Sequence, residues 1–205
     1  MRTGEVKTVV VLGGAGAMGR IIVKDLLETA PPEVQILIAD YDLTAARRLA
    51  RSRPRVRAAA ADATNVRATT RLLTGAFAVI NAVQYQHNLQ VMQAALAAGI
   101  HYLDLGGLFH VTREQLKLHG AFRRAGLLAV LGIGAAPGIV NLLARSAADA
   151  MDTVSEIHIQ VAGVDRRRVG SPRRSAPRTR SRRCSMSPRC RPRSSPRAGS
   201  ASSSR

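Results

Sequence analysis

Apolar residues along this chain follow two rhythms that take turns. Val9 to Leu12 is a short, unbroken aliphatic run of the kind that forms a buried strand. Behind it Met18, Ile21, Ile22 and Leu26 recur at helical spacing until Pro31-Pro32 ends the stripe. Val34 to Ala39 is a second buried run, closed by Asp40, and Thr44 to Ser52 reads as a helix with Ala45, Ala46 and Leu49 inward. A weaker strand follows from Val56 to Ala61, ending at Asp62, and then a helix from Val66 to Thr74 stopped by Gly75. Phe77 to Val83 is a clear strand, and Asn88 to Ala98 a helix stopped by Gly99. His101 to Leu105 predicts a fifth strand, Thr112 to Ala125 a helix stopped by Gly126, and Leu127 to Ile133 a sixth strand. This alternation, with short connections carrying Gly or Asp, predicts an α/β fold. The expected form is a Rossmann-type doubly wound parallel sheet with ligands at the carboxyl ends of its strands. Beyond it Pro137-Gly138 opens a helix, Ile139 to Ala150. Val154 to Gly163 then alternates as a further strand, with Ile157, Ile159 and Val161 on one face.

Charge divides the chain where the apolar pattern also stops. Residues 1–164 carry 17 Lys and Arg against 12 Asp and Glu, a net of +5; residues 165–205 carry 14 Arg against one Asp, a net of +13. The first stretch can bury a core. The second, almost all Arg, Ser and Pro, cannot offset its ordering entropy and is expected to be disordered. Both cysteines, Cys184 and Cys190, lie in that tail, so neither a disulfide framework nor a cysteine metal site is expected in the folded part. No signal peptide is expected, because the first strand follows directly on the first residues, and no apolar run reaches the ~18 residues of a membrane span. A cytoplasmic location is expected.

Between the first strand and helix, Gly14, Gly16 and Gly19 form G-x-G-x-x-G. The first glycine permits a tight turn, the second lets a pyrophosphate touch bare backbone, and the third lets helix and strand pack closely. The pyrophosphate would rest on unpaired N–H groups at the positive end of the helix dipole. Asp40, 21 positions after Gly19, stands where a carboxylate accepts hydrogen bonds from an adenosine ribose and repels a 2′-phosphate. Arg47 and Arg48 follow closely, either as phosphate ligands or as the solvated face of their helix. The cofactor is therefore NAD or NADP, with NAD favoured. Asp62 lies where adenine contacts fall, or caps the helix from Val66; Asn81 and Ala82 end the fourth strand near the nicotinamide and its ribose. The five histidines have no metal-ligand spacing, and no metal is expected. His87 and His110 follow strand ends as loop histidines or acid/base groups.

Several segments in order carry a family likeness. V-L-G-G-A-G-A-M-G with Asp40, A-D-A-T at 61–64, V-I-N-A at 79–82, A-A-G-I-H-Y-L-D-L at 97–105 and G-I-G-A-A-P-G-I-V-N-L-L-A at 132–144 together resemble the saccharopine dehydrogenase family. The resemblance implies an NAD(P)-binding domain joined to a second α/β domain that binds substrate. It also implies oxidoreduction of a C–N bond in an amino acid-derived secondary amine or imine. By position, Gly14, Gly16, Ala17, Met18 and Gly19 would hold the pyrophosphate, Asp40 the ribose, Asp62 and Ala63 the adenine side, and Asn81 and Ala82 the nicotinamide side. Saccharopine-forming members carry a D-P-G-I-D-H type segment where this chain has Ala136-Pro137-Gly138-Ile139-Val140-Asn141, which argues against saccharopine as substrate. Pro137, Gly138 and Asn141 remain substrate-side candidates: the helix they open either faces a carboxylate or is simply capped. The expected domains are 1–135 for dinucleotide, 136–164 as the incomplete start of a substrate domain, and 165–205 as basic tail. A small amino acid-type substrate, and a homodimer, are the expected partners.

The tail admits two readings. Taken as genuine, it is a polycation for nucleic acid, with salt-sensitive and, lacking aromatics, nonspecific binding. The favoured expectation is a frameshift product. Written in GC-rich codons and read from the third base, Pro177 to Ser195 becomes A-Y-A-L-A-T-V-L-D-E-P-A-V-P-A-A-V-V, which resembles a family segment. A chain truncated in this way would keep cofactor binding and be impaired in catalysis. A noncatalytic dinucleotide-binding regulator is a further alternative.

Overall fold

The computed structural model of the protein describes residues 6–162. Its strands are β1 (Thr8–Leu12), β2 (Gln35–Asp40), β3 (Val56–Ala60), β4 (Ala78–Asn81), β5 (His101–Asp104) and β6 (Ala129–Val130). All pair in parallel, in the order β3-β2-β1-β4-β5-β6. The helices are α1 (Ala17–Thr29), α2 (Leu43–Ala50), α3 (Val66–Leu73), α4 (Asn88–Ala98), α5 (Phe109–Leu116), α6 (His119–Arg124) and α7 (Val140–Asp149). This is the Rossmann-type doubly wound sheet that the alternating pattern predicts. Strand order reverses between β1 and β4, the position at which such sheets open a ligand crevice.

The period of two along each strand explains why the strand runs are apolar on both sides. Val10 and Leu12 of β1, Ala39 of β2, Val79 of β4 and Tyr102 of β5 turn to one face, under Leu73, Val91, Met92, Ala94, Ala95 and Phe122. Val11, Ile36 and Ile38 turn to the other, against Val23 of α1 and Ala46 of α2. Each layer is covered, and the loops that matter emerge together at the carboxyl edge.

Several expected elements differ. The helix expected over Thr112 to Ala125 starts at Phe109 and breaks into α5 and α6. At the break the ladder tightens, with the Lys117 and Leu118 amides donating to Glu114 and Gln115 three residues back. The sixth strand, expected over Leu127 to Ile133, pairs only through Ala129 and Val130. The flanking amides have other acceptors: Leu127 donates to the Phe122 carbonyl, Leu128 to His101 Nδ1, and Gly132 to the Asp104 carboxylate. The helix expected from Ile139 begins at Val140, after a wide turn over Ala135–Ile139 that contains a cis Ala136-Pro137 bond. The strand expected from Val154 does not form within residues 154–162, because alternation marks a face but supplies no pairing partner.

By compactness the chain divides into Met1–Leu143, which holds the whole sheet, and Ala144–Arg205. Within the second unit, the described residues comprise the end of α7, where Arg145 pairs with Asp149, and a stretch over 151–162 without helix or strand. The tail over 165–205, with the expectations attached to it, lies outside the described residues. No helix among the described residues is long and apolar enough to cross a membrane.

Ile38 has no exposed surface and sits in the α1–α2 layer, whereas Ile21 is 61% exposed. Ile38→Ala is expected to destabilise the fold by about 2–5 kcal/mol. Ile21→Ala should change stability by less than about 0.5 kcal/mol. Urea midpoints of the two variants check the contrast.

Candidate dinucleotide-binding site

The β1–α1 loop occupies the switch point, and its glycines differ in what surrounds them. A Cβ on Gly19 would run into the Gly13 carbonyl oxygen and the Gly14 backbone, so this position is closed to any side chain. A Cβ on Gly16 would meet only the Gly13 oxygen, at 3.2 Å, and otherwise open space. Gly16 is also the N-cap of α1, in ordinary extended backbone and without a side-chain cap. The amides of Ala17 and Met18, next in the chain, donate to no acceptor among the described residues. Exposed amides at the N-terminus of a 13-residue helix, beside a position with no side chain, fit a pyrophosphate. Arg20, missed by the sequence reading, donates from Nε to the Ala15 carbonyl at 2.7 Å and braces this loop.

Asp40 reaches the loop from the end of β2. Its Oδ2 accepts from the Ala15 amide at 2.8 Å and its Oδ1 from the Asp42 amide at 2.9 Å. The carboxylate is half-buried at the rim of a cleft of about 210 Å³. Leu12, Ala61, Ala63 and Val83 give this cleft aliphatic lining; Tyr41, Asp62, Thr64, Gln84 and His87 supply its rings and polar groups. Asp62 stands just beyond the end of β3, where its Oδ1 accepts from the Thr64 hydroxyl at 2.6 Å and the Thr64 amide at 2.9 Å. Those bonds, the hydroxyl first, hold the Asp62 carboxyl below the usual carboxylate range, and it keeps its charge. Asp62 is not the cap of α3: the side chain of Asn65 fills that role, accepting from the Ala68 amide at 3.0 Å.

Asn81 is the sequence candidate that turns away. Only 1% exposed, its amide nitrogen donates to Asn88 Oδ1 at 2.9 Å and to the Tyr102 hydroxyl at 3.2 Å. An interior cluster of Asn81, Asn88, Tyr102, Asp104 and Gln115 results, centred on a carboxylate with no exposed surface. Asp104 Oδ1 accepts from the amides of Gly106 and Gly132, each at 2.8 Å; Oδ2 accepts from the Tyr102 hydroxyl at 3.0 Å and Gln115 Nε2 at 2.7 Å. Asn81 thus stands at the end of β4, as expected, with the hydrogen-bonding groups of its side chain engaged inside the fold. Ala82 abuts Gly13 at the loop, its amide donating to the Leu12 carbonyl. The sequence reading gave Tyr102, Asp104 and Gln115 no role, although Asp104 ends its strand in the way that singled out Asp40.

The substrate-side candidates lie apart from the cleft. Pro137 packs on Gly106 and Gly132, Gly138 on the backbone of Gly132 and Ile133, and Asn141 is exposed on α7. His87 lines the cleft, whereas His110 is exposed in the first turn of α5 and is not part of its lining. Among the described residues no group of His, Cys, Asp and Glu has the arrangement of a metal site.

A parallel sheet, a glycine loop at its switch point and a strand-end carboxylate define a dinucleotide-binding domain of the kind carried by NAD(P)-dependent oxidoreductases. Residues 9–130 match the family model described as the saccharopine dehydrogenase NADP binding domain, and the chain belongs to the saccharopine dehydrogenase family. It is 31% identical over 143 residues to the carboxyaminopropylagmatine dehydrogenase of Synechocystis sp., a match covering 65% of this chain and 36% of that protein. It shares its fold with the L-Glu-forming saccharopine dehydrogenase of Saccharomyces cerevisiae, at a TM-score of 0.61 and 24% identity over 70% of this chain and 31% of that one. The chain thus spans about a third of the length of these relatives.

Burial, reinforced by the charge of Asp104, pushes the Tyr102 phenol above its ordinary range. The folded chain then holds this proton more tightly than the unfolded chain. The resulting stability is fully present below a pH of about 10 and declines as pH rises toward the raised folded value, by about 1.4 kcal/mol per pH unit. Tyr102→Phe, less stable at neutral pH, should lose that slope. Urea midpoints of both proteins from about pH 9 to 11 test it.

Proposed function

We propose that this chain binds NAD in extended form across the switch point. The protein class it represents transfers hydride at the C–N bond of an amino acid-derived secondary amine or imine. The observation carrying the first part is the open backbone at Gly16, Ala17 and Met18, where the amides of Ala17 and Met18 lack acceptors among the described residues and Gly16 has no side chain to intervene. Gly14 and Gly19 keep the loop close to β1 and α1; Asp40 holds that loop through Ala15 and faces the adenosine ribose. Asp62 and Ala63 line the adenine side, and Ala82 the nicotinamide side. The bound cofactor supplies a hydride-exchanging nicotinamide carbon; the chain's own residues bind and orient it.

The preference for NAD rests on charge. Asp40 and Asp62 lie at the ends of β2 and β3 in the cleft lining, where a 2′-phosphate would meet carboxylates. Arg47 and Arg48 sit in the last turn of α2, exposed, where cations also suit the helix dipole. The family model bears the name NADP, so the preference is a property proposed for this chain. The reaction class rests on membership of a dehydrogenase family. The departures at Ala136, Val140 and Asn141 favour a substrate other than saccharopine. Residues 136 onward are read as the opening of a substrate domain, with Pro137, Gly138 and Asn141 as its candidate contacts.

NADH titrated into the full chain should bind, and NADPH at least about tenfold more weakly, the cost of placing a 2′-phosphate near Asp40. Gly16→Ala should remain folded with a melting temperature within a few degrees of the parent's, since its dihedrals suit any residue and its Cβ meets only the Gly13 oxygen, yet weaken NADH by about tenfold or more through the obstructed phosphate site. Equal NADH affinity in Gly16→Ala would remove the loop from the binding site.

A further inference from the structure

Tyr41 has no structural work within the described residues. The residue is 87% exposed, and its side chain makes neither a hydrogen bond nor an aromatic contact there, yet it lines the cleft. A single exposed tyrosine is ordinary on a protein surface; its mounting here is not. The backbone on both sides is fixed, because the Asp40 carboxylate accepts from the Asp42 amide and the Leu43 amide donates to the Tyr41 carbonyl at 3.2 Å. Asp42 then caps α2 through the Ala45 amide at 2.9 Å. The ring thus stands on a short, braced turn directly after the ribose-side carboxylate. The aliphatic lining of Leu12, Ala61, Ala63 and Val83 offers a flat base apolar contact but no π-face. The other ring in the lining, His87, is half-buried, in the short turn ahead of α4.

We propose that Tyr41 is the stacking platform for the adenine base, turning onto the bound dinucleotide and converting an open cleft into a slot. The inference rests on the dinucleotide reading above and adds to it the residue that recognises the base. Stacking on an aromatic ring contributes more to holding a base than an exposed rim contact does, and it needs the ring, not the hydroxyl. Tyr41 therefore acts on the adenosine half and leaves the pyrophosphate contacts as they are.

Isothermal titration of the full chain with AMP and with NADH tests this. Tyr41→Ala and Tyr41→Leu should each weaken both ligands by a similar factor, about tenfold. Tyr41→Phe should keep the affinities of the parent, because the ring is retained. The leucine variant retains apolar bulk, so a loss common to alanine and leucine and absent in phenylalanine belongs to the ring. Melting temperatures equal to the parent's are expected for all three at so exposed a position. If Tyr41→Ala and Tyr41→Leu bind AMP as tightly as the parent while the parent binds NADH, the platform is overturned and the dinucleotide site stands. Should the parent bind neither ligand, the dinucleotide reading falls and the platform with it.

Discussion

Burying a carboxylate without a cation is tolerable only where the fold brings enough donors to it, and Asp104 is the place where this chain does so. Its four donors come from four segments: Tyr102 in β5, Gly106 just after it, Gln115 in α5, and Gly132 beyond β6. Two of the four are backbone amides, so the positions of the loops leaving β5 and β6 are set by one side chain. Tyr102 extends the arrangement to Asn81 and Asn88, at the end of β4 and the start of α4. Half of the carboxyl edge of the sheet is thereby organised from inside. The brevity of β6 follows, since the Gly132 amide that could prolong the strand is bonded to Asp104.

The other half of that edge is organised by a carboxylate of the opposite kind. Asp40 uses one oxygen on the loop amide of Ala15 and the other on Asp42, but remains half-exposed at the rim. A carboxylate oxygen has lone-pair capacity beyond one bond, so Asp40 can hold the loop and still accept from a sugar hydroxyl. Asp104 has no such surface. The two groups illustrate why residue type and strand-end position do not by themselves separate a carboxylate open to a ligand from a structural one: accessibility decides, and accessibility is tertiary.

That distinction explains what was legible in the sequence. The six strands and the helices between them follow from local periodicity, because a parallel sheet covered on both faces needs continuous apolar strands and striped helices. The glycine loop and Asp40 are legible because their spacing reflects one βαβ unit. The place of Asn81 at the end of β4 was legible, while the direction of its side chain was not, because it depends on Asn88 and on Tyr102, 21 positions away. The break between α5 and α6 and the lack of a strand over the described residues 154–162 were illegible for a related reason. Periodicity describes which face is apolar, and says nothing of whether a side chain elsewhere takes an amide or a partner strand exists.

The same separation governs how binding and turnover relate in this chain. Both core layers are closed by helices lying within Met1–Leu143, and the glycine loop, Asp40 and the cleft all belong to that unit. The dinucleotide binding proposed for this chain would therefore draw on residues of that one unit. Hydride transfer demands more: a substrate held against the cofactor, and a group to manage the proton. Pro137 and Gly138, which pack on the loops after β5 and β6, carry no titratable side chain and do not supply the latter. Binding is thus the property by which this chain's own residues are judged, and an absence of turnover would leave the reading of its cofactor site untouched.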